Sequence, residues 1–346
     1  MIRASVANVT NSRPEVPYYV KALALGLSAY LIGIHLWTWI LTLSLFLGGR
    51  SDFRQLYTAG YMVRSGNAHE LYEYDAQLHF QNRLVSPGDI ALPFNHLAYE
   101  ALLFVPFSLL SYRAAYFALL GFNLTGLAIT FKLLRPGMKN LAAIYRWLPP
   151  AMFLAFLPIA AALLQGQDSI LLLTLLAAAL VSLHSGRELA AGVLVGLGLF
   201  KFQIVIPIAL LYLIWRRWRF VFGFASLALA ETVASIWLVG TSQFITYARS
   251  LITLGGGVHE VTKPVANLMA NLHGLVFGLT GGNLPGFWIV AVTAILSGIV
   301  LLLAAFSHRM DARSGDAFLI AVTACALVSY YLLIHDLSIM LIPTRK

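Results

Sequence analysis

Polar residues that could handle a hydroxyl group and a phosphate recur at the ends of long apolar runs. Asp52 follows the first run, the stretch Gln165-Gly166-Gln167-Asp168 separates two others, and Lys201 lies between Phe200 and Phe202. A carboxylate can take the proton of a hydroxyl that lies within hydrogen-bond reach. A lysine near a bilayer is costly unless it snorkels or meets an anion, and a lipid phosphate is the obvious anion.

Each of these residues also has a simpler interpretation. Asp52 taken alone is an ordinary charge at the interface, and Gly166 in a polar stretch suits a plain turn at a helix end. Lys201 can satisfy its charge by snorkelling to the membrane surface without binding any ligand. The residue types are therefore compatible with a site that binds hydroxyls and a phosphate and also with ordinary features of a membrane protein.

Further polar candidates lie in three other segments. These are Asn95 and His96 in Pro93-Phe94-Asn95-His96, Asn271 and His273 in the stretch 267–274, and the pair His335-Asp336. Amide, imidazole and carboxylate groups can hydrogen-bond sugar hydroxyls. Glu231 lies inside a predicted span, where a carboxylate is a functional candidate or is protonated and bonded to a neighbouring helix.

The sequence does not predict a metal centre or a hydrolase motif. It has no HExxH, CxxC or GxSxG pattern, and its only cysteine, Cys325, lies in an apolar run. His69 and His79 are ten residues apart in a polar loop, which is not ligand spacing. We therefore expect no metal and no other cofactor.

Composition identifies the environment in which these residues must be positioned. Of 346 residues, 60% are hydrophobic and 11% are charged, whereas soluble domains have about a quarter charged residues. So much apolar surface requires the bilayer as solvent. The net charge of +9 comes from basic residues at the ends of apolar runs, which are topology signals, so we expect no nucleic-acid partner.

The lengths of the apolar runs predict an all-α polytopic membrane protein, a helical bundle of about nine or ten spans. The segment 97–110 is broken by Pro106 and is too short to cross upright. Gly192, Gly196 and Gly198 indicate a helix-packing face. The predicted spans are 22–47, 114–131, 147–164, 168–184, 189–200, 202–215, 220–239, 286–306 and 317–334.

Basic residues orient the predicted bundle. Placing the cluster 132–146 on the cytoplasmic side, with Arg216, Arg217 and Arg219, satisfies the positive-inside rule if 97–110 only dips into the interface. The N-terminus (1–21) is then cytoplasmic in a multi-pass plasma-membrane (inner-membrane) protein. A single domain, 1–346, has two large outer loops at 48–113 and 240–285, and the first has helical periodicity typical of interfacial helices.

In their order along the chain these motifs resemble glycosyltransferase family 87, the DUF2029 group, over about residues 50–343. The family includes polyprenyl-phosphate-mannose-dependent α-mannosyltransferases. The segments that carry the resemblance are Asp52-Phe53 with 57–74, Pro93-Phe94-Asn95-His96, Gln165-Gly166-Gln167, 198–203, 216–219, Asn271-Leu272-His273-Gly274 and His335-Asp336-Leu337.

The resemblance implies a GT-C fold and inverting transfer of a hexose, with mannose the best-known case, at the outer face of the membrane. It implies a polyprenyl phosphosugar donor, a glycolipid or glycan acceptor and no metal. Asp52 would be the general base and Lys201 would hold the donor phosphate. His335 and Asp336 would line the same cavity as the substrate-binding candidates Asn95, His96, Gln165, Gln167, Asp168, Asn271 and His273.

Two departures from the family pattern keep alternatives open. Leu97-Ala98 follow His96 where the family pattern has proline, and the chain ends at Lys346, shortly after His335-Asp336. The second departure predicts a C-terminally truncated member, which could be inactive. A lipid-linked-sugar flippase or another transporter is the other alternative, although transporters usually have short loops and a site at the midplane.

Overall fold

The computed structural model describes residues 16–253, 266–307 and 315–342, and these residues form helices and loops without a β-strand. This confirms the all-α fold. The helices are α1 (Tyr18–Leu47), α2 (Phe53–Arg64), α3 (Tyr74–Leu84), α4 (Glu100–Phe104), α5 (Tyr112–Leu134), α6 (Lys139–Ile144), α7 (Leu148–Ala155), α8 (Leu157–Gln165), α9 (Ser169–His184), α10 (Glu188–Gly196), α11 (Phe202–Ile214), α12 (Trp218–Val239), α13 (Thr241–Thr253), α14 (Leu272–Leu279), α15 (Gly286–Phe306) and α16 (Gly315–Val328).

Four helices, α1, α5, α12 and α15, are long and apolar enough to cross a membrane. At 1.5 Å per residue even the shortest spans about 32 Å, the thickness of a hydrocarbon core. Their large apolar side chains point outward, as Trp237 does with 84% of its surface exposed. Such exposure suits lipid and not water, so the structure supports a polytopic helical membrane protein.

In each of two bent helix pairs, the two helices are long and apolar enough to cross a membrane only when they are taken as one span. Helices α7 and α8 meet at 51°, and α10 meets the segment Leu199–Ile214 at 65°. In the part of the chain that the structure describes, the candidate spans therefore number four, or up to six, with α9 and α16 as shorter apolar helices. This is fewer than the predicted nine or ten, because the predicted spans 189–200 and 202–215 are two arms of one bent pair, and 168–184 and 317–334 correspond to the shorter helices α9 and α16.

Helix α9 lies at the centre of the larger hydrophobic core. Leu172, Leu176 and Leu180 are completely buried, and the helix is apolar on every side. A helix without a polar face requires neighbours all around it. Because α9 begins immediately after Asp168, its burial fixes the Gln165–Asp168 turn within the protein.

Close helix packing confirms the predicted small-residue face. A Cβ atom on Gly192 would lie 2.0 Å from the Phe220 carbonyl oxygen, and one on Gly223 would lie 2.2 Å from the Leu189 carbonyl oxygen. Only glycine at both positions allows the backbones of α10 and α12 to approach this closely. The contact anchors the arm of the bent pair that leads to Lys201.

The segment between α1 and α5 folds into short helices and not into an extended loop. It contains α2, α3 and α4, and α4 has five residues, about 8 Å of helix, which is far short of a membrane span. The buried face of α2, with Phe53, Leu56 and Met62, forms a second hydrophobic core with Phe104 of α4. This core holds the start of α2, where Asp52 lies.

Candidate active site

Asp52 is positioned by aromatic packing on both sides of it in the chain. The hydroxyl of Ser51 hydrogen-bonds that of Tyr112 at 2.8 Å. The Phe53 ring stacks on the Tyr112 ring with centroids 5.5 Å apart. Asp52 itself is partly exposed, so its carboxylate is fixed at the start of α2 while it remains accessible.

The Gln165–Asp168 turn brings two amides to Asp52. Gly166 has a φ of +63°, a left-handed conformation that glycine adopts without strain, and a Cβ atom there would lie 2.7 Å from Phe53 Cβ. The Asp52 backbone N–H donates to Gln165 Oε1 at 3.4 Å. Gln167 Nε2 donates to Asp52 Oδ2 at 2.5 Å. The turn therefore orients the carboxylate through one of its oxygens.

Lys201 occupies the bend between α10 and α11 and is buried with three acceptors. Its Nζ atom lies 3.2 Å from Asp168 Oδ1 and 3.2 Å from Asp336 Oδ1. It also donates to Gln167 Oε1 at 3.5 Å. The ammonium therefore forms two ion pairs and one hydrogen bond, and these contacts connect three separate segments of the chain.

Asp336 completes the ion cluster from the far end of the chain. Ser169 Oγ donates to its Oδ1 at 2.9 Å, and the Leu333 backbone N–H donates to its Oδ2 at 3.2 Å. His335 Nε2 lies 3.6 Å from Asp336 Oδ1. Burial raises the pKa of Asp336, but the Lys201 ammonium, His335 and the hydrogen bonds lower it more, so the carboxylate is ionised.

The Lys201 ammonium also changes the pKa of Asp168. Burial raises its pKa, and the Lys201 ammonium beside it, with further contacts, lowers the pKa to well below its usual range. Asp168 and Asp336 are therefore both charged next to one lysine.

His96 and Glu100 form a second buried pair beside this cluster. His96 Nδ1 lies 2.7 Å from Glu100 Oε2, and the Glu100 side chain is fully buried. Burial lowers the pKa of His96 to about 4, so its ring is neutral. Burial, followed by the Asp168 carboxylate, raises the pKa of Glu100 well above its usual range.

The family model of glycosyltransferase family 87 matches residues 99–335, more than half of the chain. The chain belongs to glycosyltransferase family 87. Comparison with curated proteins and with solved structures gives no match. In this family 87 member the matched stretch includes the Gln165–Asp168 turn, Lys201 and His335. Asp52 precedes the matched stretch and is connected to it by its hydrogen bonds with that turn.

The structure brings together eight of the eleven predicted site residues of this family 87 member. They converge from the start of α2, the segment before α4, the α8–α9 turn, the α10–α11 bend and the 334–341 segment. The eight are Asp52, His96, Gln165, Gln167, Asp168, Lys201, His335 and Asp336.

The other three predicted residues have different surroundings. Asn95 is exposed. Asn271 accepts a hydrogen bond from the Gly274 backbone N–H at 2.9 Å and donates to the Ser329 carbonyl oxygen at 2.7 Å, so it caps α14. The His273 ring packs against the Tyr330 ring at 5.8 Å.

Three residues of the site were missed. Glu100 lies four positions after His96, and this spacing could have suggested the pair, although in the structure His96 precedes α4. Ser169 directly follows Asp168, but its bond to Asp336 joins residues 167 positions apart. Tyr331 has its pKa raised to about 12 by burial and then by the Asp52 and Asp336 carboxylates, and no sequence pattern indicated it.

Proposed function

We propose that this family 87 glycosyltransferase transfers a hexose from a polyprenyl phosphosugar to an acceptor hydroxyl, with inversion at the anomeric carbon. The observation that carries the proposal is the link from Asp52 through Gln167 to Lys201. It joins a carboxylate suited to a general base with a cation suited to a phosphate. Both groups are needed at opposite ends of the same displacement.

The reaction balances with these two groups. The acceptor oxygen attacks the anomeric carbon from the face opposite the phosphate and loses its proton to Asp52. The bond between that carbon and the phosphate oxygen breaks, and polyprenyl phosphate leaves with the electron pair. Gln167 holds one Asp52 oxygen, which leaves the other oxygen to face the acceptor hydroxyl.

Lys201 meets the donor phosphate by exchanging one of its present acceptors. Its ammonium contacts Asp168, Asp336 and Gln167, so a phosphate oxygen must replace one of them. The two carboxylates hold the lysine side chain in place before the donor binds. Such preorganisation lets the charge act on the leaving group without a rearrangement of the lysine.

The site faces the outside of the plasma membrane in this proposal. Asp52 follows the end of α1, Tyr112 beside it begins α5, and Asp168 precedes α9. Lys132 and Arg135 lie at the far end of α5, and Arg216 lies beyond the far end of α11. Basic residues favour the cytoplasmic side, which gives an outer site and a cytoplasmic N-terminus.

The remaining details rest on the family resemblance. They are a GT-C architecture, mannose as the first sugar to test and a glycolipid or glycan as acceptor. Two groups that could contact a sugar hydroxyl are His335, which lies beside Asp336, and Tyr331, which interacts electrostatically with Asp52 and Asp336.

The proposal is tested with purified protein in lipid nanodiscs and a panel of polyprenyl phosphosugars, with release of polyprenyl phosphate as the readout. One donor should be consumed in the presence of acceptor. Asp52→Asn should abolish release while the donor still binds, and Asp75→Asn, an exposed acid on α3, should retain activity. Donor translocation without release, unaffected by Asp52→Asn, would identify a carrier instead.

A further inference from the structure

Three potential metal ligands from two segments of the chain meet at the edge of the ion cluster. His96, Glu100 and Asp168 each offer one ligand atom, and these atoms lie within 4.8 Å of one another. Glu100 and Asp168 are buried, and 13% of the His96 side chain is exposed. The cluster is distinct from the Asp52 carboxylate, but it shares Asp168 with the Lys201 network.

The Glu100 carboxylate lacks the partners that a buried acid requires. Among the described residues neither Glu100 oxygen accepts a hydrogen bond from a donor group, and neither does either oxygen of Asp168, whose Oδ1 has only its ion pair with Lys201. Burying such a group unpaired costs several kcal/mol in general. The Lys201 ammonium already forms ion pairs with Asp168 and Asp336. When Glu100 is ionised, this one positive charge must balance three carboxylates. A positive charge beside Glu100 is required, either a bound cation or a proton that Glu100 shares with Asp168.

The contact between His96 and Glu100 has the geometry of two adjacent metal ligands. Nδ1 and Oε2 are 2.7 Å apart, yet neither atom has a hydrogen-bond partner, because the contact is poorly aligned. Two ligands bound at about 2.1 Å and at right angles lie about 3 Å apart, with their lone pairs directed at the ion and not at each other. A short, misaligned contact fits that arrangement.

We infer that His96, Glu100 and Asp168 form a binding site for one divalent first-row cation, Mn²⁺ or Zn²⁺. One imidazole nitrogen with two carboxylate oxygens suits these ions, since imidazole favours zinc and carboxylates favour manganese. Three protein ligands leave at least one coordination position open for water or for a substrate oxygen.

The cation site also has a consequence for Lys201, and this step rests on the proposed function. A cation on Asp168 withdraws carboxylate charge from the Lys201 ammonium, which lies 3.2 Å from Asp168 Oδ1. An N–H group of Lys201 can then hydrogen-bond to the phosphate of the sugar donor. The open position on the cation can take a second phosphate oxygen. The sequence predicted a reaction without a metal, and the metal measurement decides between that prediction and this site.

The test measures metal binding without any substrate. Protein in nanodiscs is stripped with EDTA and titrated with Mn²⁺, and free ion is followed by electron paramagnetic resonance. Zn²⁺ content after dialysis is measured by mass spectrometry. We expect one site per chain, with Mn²⁺ binding weakened by about tenfold or more in Glu100→Gln and in His96→Gln. Glu231→Gln, which changes a buried carboxylate of α12 outside the cluster, should bind as the wild type does.

Thermal unfolding distinguishes a variant that has lost the metal site from a variant that fails to fold. Added Mn²⁺ should raise the Tm of the wild type and of Glu231→Gln, and it should leave the Tm of Glu100→Gln unchanged. The inference is overturned if the wild type leaves Mn²⁺ and Zn²⁺ free, or if the folded His96 and Glu100 variants bind them equally well. The first result identifies a shared proton as the missing charge. Sugar transfer by metal-free protein contradicts only the step in which the cation assists Lys201, and metal binding without transfer contradicts only the proposed function.

Discussion

The side chains of Asp52 and Lys201 are joined through a single amide, that of Gln167. Its Nε2 donates to Asp52 at 2.5 Å, and its Oε1 accepts from Lys201 at 3.5 Å. Because an amide is planar, the lysine also fixes which way the amide presents its N–H to the carboxylate. The orientation of the proposed base therefore depends on the buried ion cluster.

Gln167→Ala should reduce turnover without a matching loss of donor affinity. It removes a charge-assisted hydrogen bond to Asp52, worth about 1.5–3 kcal/mol, which corresponds to about a 10- to 150-fold fall in kcat. Gln165→Ala is the matched control, since Gln165 makes only a 3.4 Å contact with the backbone of Asp52. Equal losses in the two variants, measured as kcat and donor KM, would remove Gln167 from its positioning role.

Gly166→Ala should destabilise the protein more than Gly186→Ala. Both glycines have left-handed backbones, with φ of +63° and +70°, so alanine costs each about 1–2 kcal/mol of strain. Only at Gly166 would the new Cβ overlap Phe53, whereas Gly186 has open space, and overpacking adds about 1–3 kcal/mol. Thermal unfolding in detergent measures the difference, and equal Tm shifts would contradict the close approach of this turn to α2.

Lys201→Met should be strongly destabilising because it leaves Asp168 and Asp336 without their cation. Breaking a buried ion pair from one side typically costs about 3–5 kcal/mol. Lys132→Met, at an exposed position on α5, should change stability by no more than about 0.5 kcal/mol. Adding Asp168→Asn to Lys201→Met should recover part of the loss. A Lys201→Met protein as stable as the wild type would mean that the carboxylates are neutral.

Sequence reasoning selected residues that the structure brings together, because a membrane chain restricts where polar groups can lie. Asp52, Gln167 and Lys201 each interrupt or end an apolar run, and such positions are few. The 65° bend at Lys201 was not predictable, since apolar length does not distinguish two spans from two arms of one. Glu100 was not predicted as a site residue, because its burial depends on the packing of α4 on α2.

Asp336→Asn should flatten the loss of stability in acid. The folded-state pKa of Asp336 lies below its ordinary value of 3.8, with Lys201 and the hydrogen bonds outweighing burial. A carboxyl group with a lowered folded-state pKa contributes stability that is complete above the ordinary value and is lost as pH falls through that value toward the folded-state pKa.

The measurement for Asp336 is Tm from pH 7 to pH 3. The wild type should lose stability below about pH 4, and Asp336→Asn should lose less over that range while being less stable at pH 7. The exposed Asp89→Asn is the control and should follow the wild-type profile. Parallel curves for Asp336→Asn and the wild type would show that Asp336 is not ionised against Lys201.

Asn271→Ala should lower stability and leave turnover per folded molecule nearly unchanged. The Asn271 side chain uses its oxygen on the Gly274 N–H and its nitrogen on the Ser329 carbonyl. Loss of the cap costs about 0.5–2 kcal/mol, and loss of the second bond about 0.5–1.5 kcal/mol. Asn271→Ser keeps a capping oxygen and should recover the first part only. If kcat falls in Asn271→Ser while its Tm stays near that of the wild type, Asn271 contacts substrate after all.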